Sequence, residues 1–170
     1  MINLIDTYRY SQVDSTEWYE STKEAFHKAL ELIGFYEINS YFTGFSSQGD
    51  GACFTGRYSY ERGGLKALKS EFPKWDAMHE LAKELQDLQR RCFYRLEYSI
   101  EHIGRYCHSG SMVIYIKSES TDFIYLLEEQ LLAIFRKMAD LYYESLEAQY
   151  DYLTSDESVK EWIEANGITE

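Results

Sequence analysis

Proline is almost missing from this chain: Pro73 is the only one in 170 residues. That excludes Pro-rich linkers and extended polyproline segments. Cysteine is scarce as well. Cys53, Cys92 and Cys107 lack the spacing of metal-binding cysteine pairs, and an odd number cannot all pair with one another. They read as small buried hydrophobes. Long apolar runs are also absent: no stretch approaches the roughly 18 residues of a membrane span. The first residues, Met1 to Asp6, show no basic segment followed by an apolar core. These shortages predict a protein of the reducing cytoplasm with no membrane anchor, no metal and no cofactor.

Positive charge is the remaining shortage. Lys and Arg number 17 against 29 Asp and Glu, a net charge of −12. Such a balance disfavours direct binding to nucleic acid or to anionic membranes. The excess is uneven: residues 121–170 hold 12 acids and 3 bases. A charged helix face most often serves solubility alone. Its functional counterpart is a surface, marked by Glu144, Glu147 and Asp151, that meets a basic groove on a partner, including a groove that otherwise holds nucleic acid.

Aromatic residues are what the chain has in plenty, with 16 Tyr, 9 Phe and 3 Trp. Tyrosine combines apolar area with a polar tip, which suits both cores that meet a surface and binding faces. An apolar content of 45% is enough for one folded domain over residues 1–170, with an acidic helical part at 120–170.

Periodicity supplies the elements. Asp14 and Glu17 stand at capping-box spacing, and Trp18, Thr22, Phe26, Ala29, Leu30 and Ile33 form one stripe, predicting a helix over 15–33 that stops at Gly34. Residues 35–45 and 52–60 are rich in strand formers and read as a hairpin. Gly44 and Gly56 within them suggest a bulge or a close approach. A short helix is expected over 65–71 and a longer one over 74–91, its buried stripe Trp75, Met78, Leu81, Leu85 and Leu88. Alternation then puts Leu96, Tyr98, Ile100, His102, Gly104, Tyr106 and His108 on one strand face. Ser109-Gly110 turns the chain back into 112–116, a second hairpin. A long helix is expected over 120–153. It carries one apolar seam through Ile124, Leu127, Leu131, Ile134, Met138 and Leu141, and a second through Leu132, Phe135, Ala139, Tyr142, Leu146, Tyr150 and Leu153. Two seams mean packing on two sides. One side can cover the sheet; the other can take the first helix or a second copy of the chain, so a homodimer is left open. A short acidic helix over 158–164 follows. The expected fold is α+β: an antiparallel sheet of two β-hairpins covered by helices, with a long C-terminal helix.

The candidate site lies on the first hairpin loop, in the run Gly44-Phe45-Ser46-Ser47-Gln48-Gly49-Asp50-Gly51-Ala52-Cys53-Phe54. Gly-Asp-Gly is turn chemistry, but a turn does not need Ser46, Ser47 and Gln48 as well. They offer neutral hydrogen bonds to a ligand or satisfy the loop backbone. Asp50 is a turn residue, or a carboxylate held as base, metal ligand or ligand contact. His102 and His108, six residues apart on an extended strand, would stand about 20 Å from each other, too far to share an ion unless Gly104 bends the strand. Beside the loop, either one completes a Ser/Gln/Asp/His cluster capable of acid–base or nucleophilic chemistry. Tyr106 belongs to the same candidate surface.

The loop motif resembles one found in small proteins of phages, prophages and plasmids, several of them loosely labelled antitoxins. The stretches Ile100-Glu101-His102-Ile103-Gly104-Arg105-Tyr106-Cys107-His108-Ser109 and Tyr150-Asp151-Tyr152-Leu153-Thr154-Ser155-Asp156-Glu157, with Glu161-Trp162-Ile163-Glu164-Ala165-Asn166 after them, extend the resemblance across about residues 40–170. It implies a mobile-element origin and an accessory protein that binds and inhibits a host protein or nucleoprotein complex, of the anti-defence kind. Two alternatives stand beside it: a small enzyme or ligand-binding domain built on Ser47, Gln48, Asp50, His102 and His108, and an antitoxin.

Overall fold

The computed structural model describes residues 4–117 and 124–168. Among them the chain forms helix α1 (Leu4–Tyr8), α2 (Glu20–Leu32), strands β1 (Phe35–Phe42) and β2 (Ala52–Ser59), α3 (Gly64–Glu71), α4 (Asp76–Arg91), β3 (Glu97–His102), β4 (Met112–Ile116), α5 (Ile124–Leu153) and α6 (Asp156–Ala165). The four strands form one antiparallel sheet in the order β1-β2-β3-β4. The expected α+β architecture is therefore present, with α3 and α4 inserted between the two hairpins.

Each sheet row shows which face is buried. Phe35, Tyr58 and Tyr98 lie side by side across β1, β2 and β3, and all three are buried. The neighbouring row, Tyr36, Arg57, Ser99 and Tyr115, faces outward, and Arg57 pairs there with Glu37 at 2.9 Å. Helices cover the buried face. Phe26 of α2 stacks on Tyr142 of α5 with ring centroids 4.5 Å apart, and Phe135 of α5 packs against Phe35 and Tyr58.

Both seams of α5 are used within the chain. Leu127, Leu131, Ile134, Phe135, Met138, Ala139, Tyr142 and Leu146 are all buried, against α2, α4 and the sheet. The second seam thus has a partner in the same molecule. The predicted start of this helix at Ser120, and the Ile124 side chain, lie outside the described residues.

Several boundaries differ from expectation for local reasons. The first helix begins as a 3-10 turn over Thr16–Tyr19 before α2. Ser15, not Asp14, stands at its N-cap, and no side chain caps it. The helix α1 is too short for its five residues to show a periodicity. The N-terminal segment is clipped to the far end of the chain. Arg9 donates to Asp156 at 2.8 Å and to the Thr154 carbonyl at 3.0 Å, and Gln12 donates to the Leu153 carbonyl and to Ser158 Oγ, both at 3.0 Å.

β1 carries a bulge between Tyr36 and Asn39, where Glu37 takes a φ of 53°. Gly56 lies against it: a Cβ there would sit 2.9 Å from the Tyr36 carbonyl oxygen. That glycine is a close backbone approach, as its place in a strand suggested. The third strand is shorter than its alternation implies. It ends at His102, and residues 103–108 fold into a loop whose Gly104 has a φ of 91°. Tyr106 and His108 therefore do not continue the strand face.

Candidate functional site

The ends of the two hairpins meet. Loop 43–51 lies against loop 103–110, and Gly51 is the point of contact: a Cβ there would come within 2.7 Å of His108 Cβ. His108 is enclosed from the other side by Gly110, where a Cβ would meet the imidazole at 2.9 Å. A bulkier residue at Gly51 would push the two loops apart.

The polar run has structural work within the loop. Asp50 Oδ2 accepts hydrogen bonds from the Ser46 and Ser47 amides at 2.9 and 2.7 Å. These two amides, Ser47 first, hold the carboxyl below its ordinary value. Thr43 closes the base, its Oγ1 accepting from the Gly51 amide at 3.0 Å. Phe45 anchors the loop in an aromatic cluster with Trp18, Phe42, Tyr143 and Tyr150, and Tyr143 donates its hydroxyl to the Gly44 carbonyl at 3.0 Å. Ser46, Ser47 and Gln48 are exposed on the tip. Among the described residues no hydrogen bond joins Asp50 to a histidine, so the acid–base pair that the loop suggested is not formed. Tyr106 is exposed in the facing loop.

His102 and His108 have separate surroundings. The reversal at Gly104 takes the chain back, and it brings Cys107 rather than His108 to His102. Cys53 on β2, His102 at the end of β3 and Cys107 in the loop after it place one ligating atom each within 4.8 Å of one another. Cys53 is fully buried, and His102 and Cys107 are partly so. Burial, reinforced by the neighbouring Cys107, pushes the Cys53 thiol up to about 12. His102 Nδ1 is buried without a hydrogen-bond partner, while the Tyr41 ring stands 5.5 Å from the imidazole. The loop carrying Cys107 is held by Arg136 of α5, which donates to the Met112 carbonyl at 2.9 Å and to that of Gly110 at 3.2 Å. In the sequence, no two cysteines have ligand spacing, which predicts no metal. The fold brings the donors together across two hairpins, a juxtaposition that the sequence pattern did not show.

A second feature lies on the helical side. Between α4 and α5 run two adjoining open hollows of about 400 and 340 Å³. Leu81, Leu88, Ile134 and Leu141 form their floor. Glu80, Glu84 and Asp87 of α4 and Asp140 and Glu144 of α5 stand along them, with Arg91 and Lys137 between. The row on α5 continues past the groove through Glu147 to Asp151. Steps of four, three and four residues keep these acids on one helix face, and Asp140, Glu144 and Asp151 are exposed. The three acids singled out in the sequence thus belong to a longer row, part of which borders an apolar floor.

Among the described residues no helix is long and apolar enough to cross a membrane. No curated protein and no solved structure matches the chain. Residues 18–156, which run from the 3-10 turn before α2 to the start of α6 and include both hairpins and the groove, match the family model described as a domain of unknown function, DUF8835, and the chain belongs to that family.

Proposed function

We propose that this chain works by binding a basic face of a partner protein along the α4–α5 groove, and that its role is to block that partner. One observation carries the reading: two rows of carboxylates border an apolar floor. Carboxylates steer a basic partner and fix its register, while the hollows between the rows, closed at their base by the buried Leu81, Leu88 and Ile134, seat its side chains. A segment with lysines or arginines flanking an apolar stripe is the complementary shape. The resemblance to phage, prophage and plasmid proteins supports a host protein or nucleoprotein complex as the target. In that case the acidic row stands in for nucleic acid on the target's basic surface, which is an anti-defence mode of action.

The test compares the wild type with the triple variant Asp140→Lys, Glu144→Lys, Asp151→Lys, all three acids being exposed. Each is used as bait in a nuclease-treated bacterial lysate, and any captured protein is then purified and its affinity measured at low and physiological salt. The expected result is a stoichiometric partner with a basic surface, bound more weakly as salt rises. The variant should bind it at least about tenfold more weakly, mostly through slower association. A partner held equally by both proteins and insensitive to salt would remove the acidic groove from the account.

A further inference from the structure

The two thiols and the imidazole at the hairpin ends remain unused by the groove. We propose that Cys53 Sγ, Cys107 Sγ and the His102 imidazole bind one zinc ion, tying β2, the end of β3 and loop 103–108 into a single unit. Three features carry this. The donor set is chemically apt, because two thiolates and one imidazole suit a borderline-soft divalent ion and not calcium or magnesium. The size is right. Zinc–sulfur bonds of about 2.3 Å and zinc–nitrogen bonds of about 2.0 Å give tetrahedral edges of roughly 3.5–3.8 Å, and the three donor atoms already lie within 4.8 Å of one another. Closing on an ion therefore takes small side-chain movements and no rearrangement of strands. Finally, His102 Nδ1 is a buried polar atom without a partner among the described residues. A buried unpaired nitrogen is costly, and coordination through Nδ1 would satisfy it.

The support around the donors fits the same role. Cys53 is fixed in β2 opposite Tyr41, and the Tyr41 ring packs beside His102. Arg136 holds the following turn by its carbonyls. Gly51 lets loop 43–51 close over His108, next to Cys107 in sequence. The binding step balances simply: one zinc ion enters, two thiol protons leave to solvent, and nothing is oxidised or reduced. Three protein donors leave the fourth tetrahedral position to water or to a donor from a bound molecule, the pattern of an open zinc site.

The test is metal content and cobalt spectroscopy on the full chain, reduced and purified without chelator. We expect about one zinc per chain by elemental mass spectrometry. In metal-stripped protein, added cobalt should produce thiolate-to-cobalt charge-transfer absorption and the intense visible bands of a tetrahedral site. Loss of a partner in the outer shell typically costs about 10–100-fold in metal affinity, so loss of a direct ligand should cost at least about 100-fold. His102→Gln and Cys107→Ser are the variants of choice, because both residues are only partly buried and circular dichroism can confirm their folding. Reduced wild type that takes up neither metal overturns the proposal. So does metal binding that both folded variants retain, which would place the ion elsewhere. A Cys53–Cys107 disulfide forming in protein that never binds metal under reducing conditions would mark the thiols as a redox pair and equally overturn it.

Discussion

Asp50 shows how one carboxylate organises a loop, and it yields a prediction in pH. Its Oδ2 gathers the Ser46 and Ser47 amides, which favours the ionised form and holds the carboxyl below its ordinary value of 3.8. The group is ionised more readily folded than unfolded. Its contribution to stability is therefore complete above the unfolded value and is lost as pH falls through the folded one. Wild type should melt at a higher temperature than Asp50→Asn at about pH 7, and the gap should be smaller at about pH 3, below the ordinary value, and shrink further as pH falls. Thermal melts of both proteins at the two pH values decide this; a gap that does not change with pH would mean that the carboxylate's charge is not what closes the loop. The same residue shows what the motif conceals. Gly, Ser, Gln and Asp on a loop signal a turn and a ligand site with equal force, since both need small polar groups near backbone amides. Only the positions of Phe45 and of Gly51 against His108 show that much of the motif holds the hairpin ends together.

At the scale of elements, Gln89 joins α4 to β3. It is fully buried and grips one residue twice: its Nε2 donates to the Leu96 carbonyl at 2.8 Å, and its Oε1 accepts from the Leu96 amide at 3.2 Å. It serves as a strand neighbour for a backbone that has none there. Gln89→Leu keeps the size and removes both bonds, leaving a buried donor and acceptor at an expected cost of about 1–3 kcal/mol for each group left unpaired. Urea denaturation should show a lower midpoint with an unchanged slope. A loss well under 1 kcal/mol would mean that water replaces the side chain. Elements of this kind were the most legible part of the sequence. The seams of α5, the stripe of α4 and the two hairpins follow from hydrophobic period, because each is a local pattern with one face to bury. Three features were not legible. The 3-10 entry to α2 and the bulge at Glu37 arise where packing bends a regular element. The end of β3 at His102 arises where a strand loses its neighbour's support, although Tyr106 and His108 keep the alternation. The last miss hid the cysteine–histidine cluster, because reading 96–108 as extended put Cys107 five residues along the strand from His102 and on its opposite face. Gln89 itself gave no sign: a glutamine in a helix is ordinarily a solvent-facing residue.

At the scale of the whole molecule, a net charge of −12 acts on folding and on binding with opposite signs. Within the chain the facing rows of α4 and α5 repel, with Glu80, Glu84 and Asp87 across from Asp140 and Glu144, offset in part by Arg91, Lys137 and the Arg90–Asp87 pair at 3.6 Å. Like charges held close destabilise a compact state, and salt relieves that repulsion. Raising ionic strength from about 0.01 M to about 0.15 M shortens the screening length from about 30 Å to about 8 Å. Sodium chloride over this range should raise the melting temperature. Each 1 kcal/mol relieved corresponds to about 2–4 °C for a chain of this size. The variant with lysines at 140, 144 and 151 has less repulsion to relieve, so its melting temperature should respond less to salt. If the groove meets a basic partner, the same salt weakens the complex while it strengthens the free protein. Carboxylates kept only for solubility have no such cost offset by a partner, whereas a docking face tolerates repulsion in the free state because the partner removes it. Calorimetric scans of both proteins across the salt series test the folding half: a wild-type melting temperature that stays flat or falls with salt would show that the two acidic rows do not strain the folded chain, and the groove would lose its claim to be a surface awaiting a cation-bearing partner.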